Sequence, residues 1–158
     1  MLCGFPPVVG ADTHTLVLGS FPGEASLAAT QYYAHPRNQF WKLLGAVLGE
    51  SELHDLAYEA RLERVLNHGI GIWDVLAACH REGSLDSAIR NAKPNDFDAL
   101  REHAPSLKKV CFNGKTAGRF ADVIGEAGYE TLVLPSSSPA NATLSFEQKL
   151  SYWREILS

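Results

Sequence analysis

The sequence predicts an α/β fold: a three-layer α/β/α sandwich with a central four-stranded, mainly parallel sheet, built by residues 1–158 as a single domain. Three observations carry that expectation. Four short apolar runs, Thr15–Leu18, Gly71–Leu76, Leu107–Phe112 and Thr131–Leu134, read as strands covered on both faces. Amphipathic helical patterns separate them, as in successive βαβ units. The runs close on Gly, Pro or small polar residues, and parallel sheets bind ligands beyond the carboxyl ends of their strands.

Each element follows from local chemistry. Thr15–Leu18 ends at Gly19, and Gly19-Ser-Phe-Pro-Gly23 turns into a short helix or turn over Glu24–Thr30. Phe40, Leu43, Leu44, Val47 and Leu48 recur at helical spacing, and Gly49 ends that helix. A second helix is expected over Leu56–Asn67, with Leu62, Val65 and Leu66 inward. After the Gly71–Leu76 strand, Pro94-Asn95 introduces a helix through Asp98 and Leu100, with Asn95 as its N-cap. Asn113-Gly114 turns into a helix whose inner face is Ala117, Phe120, Ala121 and Ile124. Ser145-Phe-Glu-Gln148 is a capping box opening a last helix with Leu150, Trp153 and Leu157 on one side.

Bulk properties narrow the function. No apolar run reaches the roughly 18 residues needed to span a bilayer, and Met1–Pro7 lacks the charged start and apolar stretch of a signal peptide, so a cytoplasmic protein with no membrane partner is expected. Cys3, Cys79 and Cys111 are odd in number and far apart, which argues against a disulfide framework or a cysteine metal site. The six His form no ligand array, so no metal and no cofactor are expected. A net charge of −4 argues against a protein that coats nucleic acid by charge alone. Residues 80–158 carry as many bases as acids, and the cations at Lys108, Lys109, Lys115 and Arg119 are either a solvated face or a local hold on a phosphate backbone.

The strand-end motifs exclude some chemistry. Gly19–Gly23 matches neither a phosphate-binding loop nor the strained turn that presents a hydrolase serine. In His35-Pro-Arg-Asn-Gln-Phe-Trp-Lys-Leu-Leu44, Asn38 is either an N-cap or an amide whose carbonyl holds a water. Phe40 is either core or a ring for stacking on a base. Asp74, in an otherwise apolar run, caps the next helix or sits in a site; a buried carboxylate needs partners or takes up a proton. Ser136, Ser137 and Ser138, between two prolines, are plain loop or a rigid phosphate contact.

Taken together, these pieces resemble the uracil-DNA glycosylase superfamily, most of all the mismatch-specific uracil and thymine enzymes and the DNA-deoxyinosine (hypoxanthine) glycosylase group. The carriers are Gly19–Gly23, His35–Lys42, Gly69-Ile-Gly-Ile-Trp-Asp-Val75, Phe112-Asn-Gly-Lys115 and Pro135-Ser-Ser-Ser-Pro139, in the family's order over about residues 15–141. Uracil-removing relatives place Asp, Asn or Glu just before the Pro of the first motif; here that residue is Phe21, a departure shared with the deoxyinosine group. The resemblance implies a monofunctional hydrolase of the N-glycosidic bond of a flipped-out base, acting on double- or single-stranded damaged DNA as a monomer. It gives Asn38 the water-positioning role. Ser20, Phe21, Phe40, Asp74 and Asn113 become base-binding residues, with Phe40 the stacking aromatic. His35, Arg37, Lys115, Ser136, Ser137 and Ser138 become DNA contacts. A uracil or thymine mismatch enzyme, and a non-catalytic DNA-binding domain on the same fold, are the alternatives.

Overall fold

A computed structural model describes residues 1–158. Its strands are β1 (Leu2–Cys3), β2 (Thr15–Gly19), β3 (Ile70–Asp74), β4 (Leu76–His80), β5 (Arg90–Pro94), β6 (Lys109–Asn113) and β7 (Glu130–Leu134). Its α-helices are α1 (Glu24–Ala29), α2 (Phe40–Leu48), α3 (Tyr58–Asn67), α4 (Leu100–His103), α5 (Lys115–Gly118), α6 (Ala121–Glu126) and α7 (Phe146–Trp153).

The central sheet is the expected one, four parallel strands in the order β3-β2-β6-β7. β2, β3 and β6 are buried along their whole lengths, which is why they read as apolar runs. β7 is an edge strand and leaves Glu130 and Val133 exposed. The opposite edge is shielded in part by the N-terminal segment, where Val8 and Ile72 exchange backbone hydrogen bonds of 2.8 and 3.0 Å. The β2-to-β3 connection runs toward one edge and the β6-to-β7 connection toward the other. Right-handed crossovers then place α2 and α3 on one face and α5 and α6 on the other. The chain changes direction between β2 and β6, so the carboxyl ends of these strands flank a crevice.

Four expectations need correction. Gly71–Leu76 is not one strand. β3 ends at Asp74, and after Val75 the chain enters a second sheet, antiparallel in the order β1-β4-β5. Asn95 is not a helix cap, because its Nδ2 donates to the Asp74 carbonyl at 2.8 Å and Asp96 caps the following turn instead. The helix after Asn113-Gly114 is broken into α5 and α6, although Ala117 and Ile124 still face inward. The last helix tightens into a 3-10 turn after Trp153, which turns Ile156 into the core at 1% exposure and leaves Leu157 51% exposed. The capping box is present as expected: Ser145 Oγ accepts from the Gln148 N–H, and Gln148 Oε1 accepts from the Ser145 N–H.

Candidate active site

A cleft of about 420 Å³ opens over the carboxyl ends of β2, β3, β6 and β7. The turn after β2 supplies Gly19–Gly23 to its wall, the segment before α2 supplies Tyr32, Tyr33, His35 and Asn38, and β3 and β6 supply Asp74 and Asn113. The loop after β7 adds Ser136–Asn141, and the excursion after β4 adds Ser84–Ser87.

A chain of hydrogen bonds joins three of these elements. Ser137 N–H donates to Asn113 Oδ1 at 2.9 Å, and Asn113 Nδ2 donates to Ser137 Oγ at 2.9 Å and to the Tyr33 hydroxyl at 3.3 Å. Ser137 Oγ in turn donates to Asn38 Oδ1 at 2.8 Å, and the same Oδ1 accepts the Phe40 N–H at 3.0 Å. Two backbone N–H groups, which can only donate, fix both amides: Phe40 N–H requires an oxygen from Asn38, and Ser137 N–H requires one from Asn113. The Asn38 carbonyl is therefore committed inward, with both lone pairs used. The expectation that this carbonyl holds a water does not fit that geometry; the end of the amide without a partner in the chain is Nδ2.

The stacking role expected of Phe40 does not fit its position either. Phe40 is 0% exposed and does not reach the cleft. It lies directly behind Tyr33, with ring centroids 3.8 Å apart and planes 7° from parallel. Tyr33 lines the cleft, and Phe40 is its backing. Tyr33 sits at φ 55°, a left-handed conformation that costs energy for a bulky residue. Its neighbours hold it there: Tyr32 N–H donates to the Tyr58 hydroxyl, Trp41 Nε1 donates to the Tyr32 carbonyl, and Ala34 N–H donates to Ser26 Oγ. Sequence reasoning missed Tyr33, for which the available signal was its place two residues before His35-Pro36.

Gly19 is needed beside this ring. A Cβ there would lie 2.6 Å from both the Tyr33 hydroxyl oxygen and Asp74 Oδ1, a clash on the cleft wall. Asp74 is 4% exposed, and its Oδ2 has no hydrogen-bond partner. Burial first, then repulsion from Asp86, pushes its pKa up to about 7 against the pull of Arg81. Burial and Asp74 likewise raise the Tyr33 hydroxyl far above the usual tyrosine range, so it stays neutral.

Phe21 is buried against the cleft with the Arg81 guanidinium 5.4 Å over its ring. Ser20 Oγ donates to Asp86 Oδ1 at 2.7 Å. Arg81 Nη2 donates to the Pro22 carbonyl at 2.6 Å, and Glu24 N–H donates to Ser84 Oγ at 2.9 Å. The 81–89 excursion, invisible in the sequence, is thus tied along the whole first motif. The Phe21 and Gly23 N–H groups make no hydrogen bond in the chain and remain as donors for a ligand.

Of the expected DNA contacts, His35, Ser136 and Ser138 line the cleft, whereas Arg37 and Lys115 are exposed outside it. Ser137 is buried at 1% exposure and acts inside the network, so a direct contact to DNA does not fit its position. The Ser loop is stiffened by Ser138 N–H to Ser136 Oγ and by Asn141 Nδ2 to the Ser136 carbonyl. Gly114, at φ 99°, packs against the Ser136 side chain and keeps the β6 and β7 loops in contact.

Comparison with known proteins agrees with this geometry. The family model of the uracil DNA glycosylase superfamily matches residues 6–157. A protein of Methanosarcina barkeri named hypoxanthine DNA glycosylase is 45% identical over 152 residues, 96% of this chain and 95% of the relative. One of the same name from Methanosarcina acetivorans is 45% identical over 153 residues, 97% and 96% of the two chains. A solution NMR structure of a Methanosarcina acetivorans protein, described as a candidate uracil DNA glycosylase, superposes with a TM-score of 0.87 at 43% identity, over 99% of this chain and 98% of that one. With its strand-end cleft, its motif order and these matches along almost its entire length, the chain belongs to the uracil DNA glycosylase superfamily.

Proposed function

We propose that this protein is a monofunctional DNA glycosylase that hydrolyses the N-glycosidic bond of hypoxanthine in DNA. The observation that carries the reading is the pair Phe21 and Asn38: the first motif presents an apolar ring where an acid or amide would handle water, and the Asn38 amide, across the cleft, is held rigidly by Ser137 and Phe40 N–H with its Nδ2 unpartnered. The relatives named hypoxanthine DNA glycosylase support the choice of base.

The target nucleotide is flipped out of the helix, at a cost of a few kcal/mol that is smaller at a weak pair. The base lies against Tyr33, which Phe40 prevents from yielding. Phe21, Gly23 and Asp74 line the same cleft, and the two unpartnered N–H groups and the Asp74 carboxyl are available to its edges. As the bond to the sugar lengthens, positive charge grows on the sugar and electrons collect on the purine, which needs donors. Asn38 Nδ2 donates to the attacking water and sets its position, while the water sheds its proton only once it has begun to bond to the sugar. Among the cleft residues there is no Lys to form a Schiff base, which supports simple hydrolysis over strand-cleaving lyase chemistry.

The three cysteines are unpaired, which supports a reducing compartment such as the cytoplasm. The test is cleavage of duplexes carrying one inosine, uracil, xanthine or G·T mismatch, developed with alkali. Breaks at inosine with little at uracil are expected. Preferential release of uracil or thymine would move the protein to the pyrimidine enzymes, and binding without any release would make it a binding domain.

A further inference from the structure

Asp74 is more than an edge reader by its surroundings. Its carboxyl is buried and still lines the cleft, Oδ2 is without a partner, and Oδ1 points to the gap beside Gly19. Asn95 Nδ2 donates to the Asp74 main-chain carbonyl and not to its carboxylate. The charged and titratable groups facing it come from several elements. Asp86, on the 81–89 excursion, repels a carboxylate; Arg81 attracts one, with Nε and Nη2 on the Gly83 and Pro22 carbonyls and its buried Nη1 unpartnered but making no hydrogen bond to Asp74; Tyr32, Tyr33 and Tyr58 stay neutral. A carboxyl group with burial, a like charge and no donor takes up a proton, and its pKa of about 7 agrees.

We propose that Asp74 enters the reaction as a carboxylic acid and gives its proton to a ring nitrogen of the departing purine. The inference rests on the hypoxanthine reading above and deepens it. The C1′–N9 bond breaks and its electron pair passes to the purine. The Asp74 O–H bond breaks, and the proton goes to N7 or N3, so the base leaves neutral. Water bonds to C1′, and the proton it sheds restores the Asp74 acid. Nucleotide plus water becomes free base plus abasic sugar, with no other reactant. A neutral acid also fits the cleft better than an anion beside a base whose exposed edge carries electron pairs.

The experiment is the single-turnover rate of hypoxanthine release from an inosine duplex between about pH 5 and 9 for the wild type and Asp74→Asn, with melting curves and affinity for an abasic-analogue duplex alongside. The wild-type rate is expected to fall about tenfold per pH unit above neutrality. Asp74→Asn should be roughly 100-fold slower at pH 6, lack that limb and bind the abasic duplex as the wild type does. If Asp74 instead accepted the purine N1–H as a carboxylate, the wild-type rate would rise with pH through the same range, and the acid role is overturned. It is equally overturned if Asp74→Asn keeps the wild-type profile. Should that variant fail to fold, the direction of the wild-type limb decides alone. Absence of hypoxanthine release at every pH would overturn the function itself, which separates that failure from a limb of the wrong sign.

Discussion

At the scale of single residues, two backbone N–H groups decide the chemistry of the cleft. They fix which ends of Asn38 and Asn113 face inward, and Ser137 transmits that choice from one amide to the other. Ser137→Ala should leave Asn113 Nδ2 short of one acceptor and loosen Asn38. Release of hypoxanthine is expected to slow by about tenfold with a melting temperature lower by a few degrees, since a lost buried partner costs about 1–3 kcal/mol. Asp74 makes a separate prediction about stability. Its folded pKa, about 7, lies above the 3.8 of an ordinary aspartate, so the folded state prefers the protonated form. The benefit is complete below about pH 4 and is lost as the pH rises through about 7. At about 1.4 kcal/mol per pH unit that gap amounts to roughly 4 kcal/mol. Asp74→Asn is therefore expected to raise the melting temperature at pH 8 relative to the wild type and to change it little at pH 4; equal changes at both would contradict the buried acid. Phe21→Asn places an amide where uracil enzymes carry one, and a gain of uracil release is expected in the oligonucleotide assay. Asp74 and Asn38 were legible in the sequence because each is a polar residue where the local pattern is apolar or where a helix starts. Which end of the Asn38 amide faces the cleft is set by the Phe40 N–H two residues on; that the second lone pair is also taken was not legible, because its donor, Ser137, lies 99 residues away.

At the scale of elements, α7 is the clamp of the site. Trp153 Nε1 donates to the Pro135 carbonyl at 2.9 Å, at the start of the Ser loop. Lys149, 2% exposed with its pKa lowered by burial, donates to Gln39 Oε1 at 2.9 Å, beside Asn38. One helix thus sets the distance between the two loops whose side chains meet at Ser137 and Asn38. Trp153→Phe should keep most of the packing and remove the hydrogen bond, at a cost of about 1–3 kcal/mol by chemical denaturation, with a larger loss of activity than of stability. The parallel strands were readable as apolar runs because both their faces are covered. β4 was not distinguishable from β3, because Leu76-Ala-Ala-Cys-His80 continues the apolar pattern and Val75 carries no turn signal. β5 is exposed along its length and ends in Pro94, so neither alternation nor propensity marks it as a strand. Tyr33 escaped for the same kind of reason: it sits in an irregular segment held by tertiary contacts, with no periodicity to mark it.

At the scale of the whole molecule, a chain of net charge −4 has to bind a polyanion through a small local surface. The cations there are few: the lysine and arginine among the expected DNA contacts, Arg37 and Lys115, are exposed beyond the cleft wall. Each phosphate neutralised contributes about −0.9 to the slope of log affinity against log salt, so a slope no steeper than about −3 is expected for an abasic-analogue duplex, reduced by about 1 in Arg37→Ala or Lys115→Ala. A slope near −6 would mean that another cationic face does the binding. Weak electrostatic hold also makes the shape of the cleft decisive: Tyr33 on its Phe40 backing, the N–H groups of the first motif, and Asn38 at the far wall. The most direct test of that account compares the wild type with Asn38→Ala for hypoxanthine release from one inosine duplex, under single-turnover conditions and with equal binding and folding verified. A loss of about 100-fold or more is predicted; full activity in Asn38→Ala would contradict it.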